Sequence, residues 1–185
     1  GFDTAVNTAV EAIDKIRETA DAHDRLFVIE VMGRDAGYIA LHSGISTGAE
    51  HILLPERKTE VNDIIEELQA NERRRKLVNL IVVAEGDETG GATEVGRIIK
   101  ERCPQLDTRV SILGHIQRGG APTCTDRILA SRLGYAAVDA LLEGIHNVMI
   151  GVVNDKIHYT PLDKAVKAKQ EIDPEWFKIV KILAS

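Results

Sequence analysis

Apolar residues recur along the chain in two alternating periods. Short branched runs at 26–32, 51–54, 78–84, 109–114 and 148–153 read as strands. Between them lie segments with apolar positions three and four residues apart, as at Val6, Ala9, Ile13 and Ile16 or Val61, Ile64, Ile65 and Leu68. These predict helices over 3–20, 36–46, 59–75, 92–102, 124–143 and 174–183, the last opened by Asp173 and Pro174 as cap and first turn. Residues 155–170 carry the weakest pattern and suggest a short strand at Lys156–Tyr159 followed by a short helix. Strict alternation of helix and strand predicts a layered α/β fold with a mostly parallel sheet flanked by helices. The pattern opens on a helix with no strand before it, so an amino-terminal portion is expected to be missing from this chain.

Three strands end on polar residues beside glycine. Leu26–Val31 runs into Met32-Gly33-Arg34, Leu80–Ala84 into Glu85-Gly86, and Arg109–Leu113 into the segment LGHIQRGGAP, which holds His115, Gln117 and Arg118 ahead of Gly119 and Gly120. In open α/β sheets ligands bind beyond the carboxyl ends of the strands. Guanidinium groups neutralise phosphate and a carboxylate accepts from hydroxyls, so the set suits a small ligand carrying both. Taken singly, each glycine at a strand end is as well explained by backbone geometry.

Composition removes several alternatives. The 185 residues can bury one core. A formal net charge of -6 with 4% aromatic residues excludes a basic or stacking nucleic-acid surface. The sequence has no apolar run of membrane length and no secretory signal, which makes the cytoplasm the expected location. Cys103 and Cys124 lack metal-type spacing and read as free thiols of a reducing compartment. The acidic cluster Gly86–Gly91 suits a strand-to-helix turn better than a triphosphate cradle. Glu30, inside an apolar strand, requires a partner. Asp126 reads as helix-start chemistry, and Trp176 and Phe177 as packing residues of the last helix. The cluster Arg73-Arg74-Arg75-Lys76 ends a helix, where cations complement its dipole.

The segments GFDTAVNTAVEAIDKIRETA, VIEVMGRDAGYIAL, VVAEG and LGHIQRGGAPTCTDRILASRLG resemble the 6-phosphofructokinase family. The resemblance covers nearly the whole chain and implies that 1–185 is the sugar-phosphate-binding portion, with the nucleotide-binding portion absent. It implies phosphoryl transfer to the 1-hydroxyl of fructose 6-phosphate, with ATP and Mg2+ serving the full-length enzyme and neither bound by this chain alone. Met32 and Gly33 would line the sugar site, Glu85 would accept from sugar hydroxyls, His115 and Arg118 would contact the sugar phosphate, and Arg34 would lie near the transferring group. The resemblance also assigns Arg25 and Arg109 to the 6-phosphate. Each lies a strand upstream of its loop, roughly 20 Å away at about 3.3 Å per residue. One ligand cannot reach both ends of a strand, so those arginines would have to come from a neighbouring chain. Arg17 and Glu50 fall where effector residues of the family would be, with the 73–76 cluster near but out of register. Homotetrameric assembly follows by the same resemblance. Two alternatives stay open: a noncatalytic sugar-phosphate-binding regulatory chain, and a pyrophosphate-dependent phosphofructokinase. A doubly wound domain with purely structural glycines is the plainest rival.

Overall fold

A computed structural model describes residues 1–19, 25–73, 80–167 and 172–184. They form two compact units, one of Phe2–Gly120 with Ile172–Ser185 and one of Ala121–Glu171 with Gly1.

The larger unit contains α1 (Phe2–Arg17), β1 (Arg25–Val31), α2 (Tyr38–Thr47), β2 (His51–Leu53), α3 (Val61–Arg73), β3 (Leu80–Ala84), α4 (Gly91–Arg102) and β4 (Asp107–Ile112). A 3₁₀ turn at Gly114–Arg118 follows β4, and α7 (Pro174–Ala184) rejoins this unit at the end of the chain. The four strands pair in parallel in the order β2-β3-β1-β4. The expected layered, parallel α/β architecture is what forms.

Both faces of the sheet are apolar because the strands read as continuous branched runs, as parallel strands covered on both sides must. Phe27, Ile29, Val31, Leu80, Val82 and Ala84 pack with Ala9, Ile13, Ala40 and Leu41 of α1 and α2 on one face. Leu26, Val28, Ile81 and Val83 pack with Ile64, Ile65, Leu68, Val95 and Ile99 of α3 and α4 on the other. Trp176 and Phe177 pack against the first cluster, as read from sequence. Asp173 Oδ1 accepts from the Glu175 amide at 2.9 Å, so the expected cap of the last helix is present.

Two internal carboxylates settle where the crossover helices start. Glu30 Oε2 accepts from the Ala92 amide at 2.9 Å at the first turn of α4, and Glu56 Oε1 accepts from the Gly37 amide at 2.8 Å ahead of α2. The partner that Glu30 required is therefore a helix start rather than a cation. A Cβ on Gly91 would meet that carboxylate, so glycine is needed there. The Gly86–Gly91 segment is thus a strand-to-helix turn closed by a side chain of β1.

β4 departs from its sequence reading. It runs over 107–112 instead of 109–114, so Arg109 is its third residue and does not open it. Asp107 looks too polar for a strand, yet it pairs with Arg25 in register and bonds both Arg25 and Arg109, while Thr108 is buried. The carboxyl end at 113–114 is instead drawn into the 3₁₀ turn.

The smaller unit holds α5 (Cys124–Leu142), the antiparallel hairpin of β5 (Val148–Val153) and β6 (Lys156–Pro161), and the short α6 (Leu162–Ala165). Asn154 and Asp155 both take positive φ, the left-handed pair that a two-residue hairpin turn needs. Arg132 of α5 clamps that turn through the Asp155 carboxylate at 2.6 Å and its carbonyl at 2.7 Å. Thr123 Oγ1 accepts from the Asp126 amide at 3.2 Å, making Thr123 the cap and Asp126 a first-turn carboxylate. Cys103 is buried and Cys124 exposed, and both are free thiols.

Candidate active site

The chain leaves β1 toward β2 through α2, on one face of the sheet, and leaves β3 toward β4 through α4, on the other. Neighbouring strands whose connections part in opposite directions open a crevice at their carboxyl ends. Met32–Arg34 and Glu85 sit at the two lips of that opening, and the 3₁₀ turn carrying His115 and Arg118 follows the adjacent strand β4.

Hydrogen bonds tie the three loops together. Glu85 Oε1 accepts from the Gly33 amide at 3.3 Å and the Arg34 amide at 2.5 Å. The Met32 amide donates to Gln117 Oε1 at 3.3 Å, and Gln117 Nε2 donates to the Gly114 carbonyl at 3.1 Å. Three consecutive main-chain donors are thus held by two side chains from other loops. Arg34 takes φ +53°, a left-handed conformation that costs a non-glycine residue about 1 kcal/mol and that the Glu85 contact helps to hold. The loops approach so closely that a Cβ on Gly86 would collide with the Arg34 carbonyl.

The side chains of Arg34, His115 and Arg118 are exposed, with no hydrogen-bond or ionic partner among the described residues. Glu85 is exposed and both of these bonds use Oε1, so its second oxygen is left as an acceptor with no hydrogen bond among the described residues. The arrangement therefore presents guanidinium and imidazole groups beside a carboxylate acceptor, while one amide at the start of α4 and the amide just ahead of α2 already bond Glu30 and Glu56.

The other expected residues lie elsewhere. Arg25 and Arg109 are at the amino end of β1 and within β4, where they share Asp107: Arg25 Nε lies 3.2 Å from Oδ2 and Arg109 Nε 2.9 Å from Oδ1. The Arg109 guanidinium holds the Asp107 carboxyl below its ordinary range, aided by Arg25. Arg25 opens β1, at the end away from the crevice, and Arg109 lies three residues before the carboxyl end of β4. Arg17 Nη1 donates to the Thr47 carbonyl at 2.5 Å, satisfying the end of α2, and Glu50 Oε2 accepts from the Leu80 amide at 3.0 Å. Of the 73–76 cluster, Arg74, Arg75 and Lys76 lie outside the described residues.

Two cavities of the larger unit lie apart from the crevice. One of about 410 Å³ runs beside β2 and α7 and is lined by His51, Arg57, Glu67, Phe177 and Lys181. One of about 440 Å³ lies between the Arg57–Asn62 and Asp87–Thr89 segments. Among the described residues no group of three or more His, Cys, Asp or Glu side chains is placed to hold a metal ion. No described helix is long and apolar enough to cross a membrane.

Sequence reasoning assigned no structural part to Gln117, Glu56 or Asp107. Gln117 stood inside the glycine-flanked motif, and Asp107 stood two residues before an arginine on the same strand. Neither signal says which way the side chain turns.

Residues 1–141 match the phosphofructokinase family. The chain belongs to that family. It is 49% identical over 184 residues to ATP-dependent 6-phosphofructokinase 2 of Bacteroides thetaiotaomicron, covering 100% of this chain and 56% of that protein. It is 51% identical over 184 residues to ATP-dependent 6-phosphofructokinase 1 of Thermus thermophilus, covering 100% of this chain and 57% of that protein. The chain therefore spans little more than half the length of these relatives. Among solved structures, phosphofructokinase from Saccharomyces cerevisiae superposes with a TM-score of 0.79 at 38% identity, over 88% of this chain and 23% of the yeast chain. As a phosphofructokinase-family chain it carries the MGR, AEG and LGHIQRGG segments on three loops joined by hydrogen bonds at one edge of one sheet.

Proposed function

We propose that this chain is the sugar-phosphate-binding portion of an ATP-dependent 6-phosphofructokinase, a cytoplasmic glycolytic enzyme that transfers a phosphoryl group from ATP to the 1-hydroxyl of fructose 6-phosphate. The observation that carries the proposal is the convergence of Met32–Arg34, Glu85 and the His115–Arg118 turn at the carboxyl edge of the sheet, in a chain of this family. In this reading Met32 and Gly33 line the sugar, the second oxygen of Glu85 accepts from its hydroxyls, His115 and Arg118 hold its phosphate, and Arg34 faces the transferring group. ATP and Mg2+ are assigned to the complete enzyme rather than to residues of this chain. The names of the relatives favour ATP over pyrophosphate as donor.

Arg25 and Arg109 bind the 6-phosphate of a ligand held by a neighbouring chain, which makes the active form an oligomer, a tetramer in this reading. Arg25, at the amino end of β1, and Arg109, within β4, share Asp107 and take no part in the hydrogen bonds that join the three loops, which supports that assignment. Arg17 and Glu50 belong to an allosteric site, where their present hydrogen bonds to Thr47 and Leu80 would link effector binding to the frame around α2 and β3.

Steady-state assays of the complete protein with fructose 6-phosphate and either ATP or pyrophosphate test the reading. ATP-dependent formation of fructose 1,6-bisphosphate is expected, abolished by Arg118→Ala. Turnover only with pyrophosphate would overturn the choice of donor. Binding of fructose 6-phosphate with no turnover on either donor would leave a regulatory chain.

A further inference from the structure

Three main-chain amides in a row, those of Met32, Gly33 and Arg34, are occupied by side-chain oxygens, and the two side chains that occupy them differ in kind. Glu85 is exposed and can exchange its contacts with solvent or ligand. Gln117 is 2% exposed, the single fully buried residue of the His115–Arg118 run, whose other members face solvent. Its carboxamide is used at both ends: Oε1 receives the Met32 amide at 3.3 Å, and Nε2 reaches the Gly114 carbonyl at 3.1 Å. Gly114 opens the 3₁₀ turn that carries His115 and Arg118, and it has φ +55°.

We propose that Gln117 is the positioning residue of the sugar-phosphate site, setting the separation between the turn after β1 and the turn after β4. The proposal rests on the assignment of those two turns to one ligand. A carboxamide is the side chain of this shape that accepts at one end and donates at the other. The groups it joins are the part-buried amide of Met32 and the part-buried carbonyl of Gly114, and leaving them without Gln117 costs more than the net worth of the bonds, so the loops would shift to find other partners. Such a shift separates Met32–Arg34 from His115 and Arg118. A ligand that must touch both sets at once then loses contacts, whereas a phosphoryl donor bound elsewhere does not.

The test compares Gln117→Leu and Gln117→Glu with the unsubstituted complete protein, reading KM for fructose 6-phosphate, KM for ATP and kcat. The leucine removes both bonds. The carboxylate of Gln117→Glu keeps the acceptor and loses the donor; once protonated, it regains a donor for the Gly114 carbonyl in nearly the original shape. KM for fructose 6-phosphate is expected to rise about tenfold or more in both variants, with KM for ATP within about twofold. Lowering the pH toward about 5.5 should restore Gln117→Glu and leave Gln117→Leu unrestored, because burial raises the pKa of the new carboxyl. If Gln117→Leu does not fold, the pH-dependent recovery of the near-isosteric Gln117→Glu alone decides. Unchanged KM for the sugar phosphate in folded variants, or equal losses for both substrates, would overturn the positioning role while leaving the kinase reading intact. An unsubstituted protein that neither binds nor turns over fructose 6-phosphate would remove the site and the positioning role with it.

Discussion

Glu85 has two duties in this arrangement, and substitutions can separate them. One carboxylate oxygen takes the amides of Gly33 and Arg34, at 3.3 and 2.5 Å, and the other is the acceptor proposed for the ligand. Glu85→Ala removes both internal bonds. Hydrogen bonds of this kind are worth about 0.5–1.5 kcal/mol each net, but the residue is exposed and water can replace it, so about 1 kcal/mol is the expected loss of stability. That corresponds to a fall of about 2–4 °C in unfolding midpoint for a chain of this length. Glu85→Gln keeps an oxygen for the two amides, which obliges its NH2 to take the place of the second oxygen, so stability should fall by about half as much. The charged acceptor offered to sugar hydroxyls is nonetheless gone. The difference between a charge-assisted and a neutral bond, about 1 kcal/mol or a little more, weakens fructose 6-phosphate binding roughly five- to tenfold. Thermal unfolding followed by circular dichroism, together with calorimetric titration of the complete protein, measures both quantities. If both variants melt at the parental midpoint and Glu85→Gln binds as tightly as the parent, neither duty exists.

Other consequences are open to direct measurement. Asp107→Asn frees the guanidinium groups of Arg25 and Arg109 from an internal carboxylate, so inorganic phosphate binding at that end of the sheet should strengthen and then disappear on adding Arg109→Ala; titration calorimetry reads both. Tyr38 buries a hydroxyl that has no hydrogen-bond partner among the described residues, so Tyr38→Phe should raise the unfolding free energy by about 0.5–1 kcal/mol in urea titrations, and a loss of that size would contradict the burial argument. Burial lowers the pKa of His51, against the opposing pull of Glu67 and Glu50, so the folded chain favours its neutral form. Its contribution is then complete above the ordinary histidine value near 6.5 and declines as pH falls below it, a slope that His51→Gln should flatten in thermal melts. Glu30→Gln weakens the start of α4 by about 1 kcal/mol, with faster amide exchange at Ala92 as the local readout.

The layered fold was legible because parallel strands buried on both faces must be continuously apolar, and the runs at 26–32 and 78–84 could be little else. Helix starts with local caps were equally legible: Asp173 and Pro174 announce α7 within three residues. The starts of α2 and α4 depend on Glu56 and Glu30, side chains 19 and 62 positions distant, which no local pattern reveals. The same limit explains β4. Its register follows from Asp107 meeting Arg25 across the sheet, a long-range pairing that offsets the polar character of the residue. Motif reasoning placed Met32, Glu85, His115 and Arg118 at strand ends, but it could not separate the exposed members of LGHIQRGG from Gln117, since the turn after β4 is a 3₁₀ helix rather than the plain loop the glycines suggested.

The internal carboxylates also constrain how this chain can recognise a phosphate. In many α/β proteins a phosphate sits on main-chain amides at the helix start that follows a strand. Here the amide ahead of α2 bonds Glu56, the Ala92 amide in the first turn of α4 bonds Glu30, and the amides of Gly33 and Arg34 bond Glu85. A phosphate brought to any of these positions would have to displace a carboxylate of the same sign. Arg34, His115 and Arg118 are exposed side chains at the rim with no hydrogen-bond or ionic partner among the described residues, and the two guanidinium groups can neutralise charge. A site built this way gains affinity from every added guanidinium, because charge-assisted bonds contribute about 1.5–3 kcal/mol each. A second basic pair, Arg25 and Arg109, shares the Asp107 carboxylate. The role proposed for that pair toward the ligand of a neighbouring chain fits this arrangement, because it would add guanidinium donors without displacing Glu30, Glu56 or Glu85.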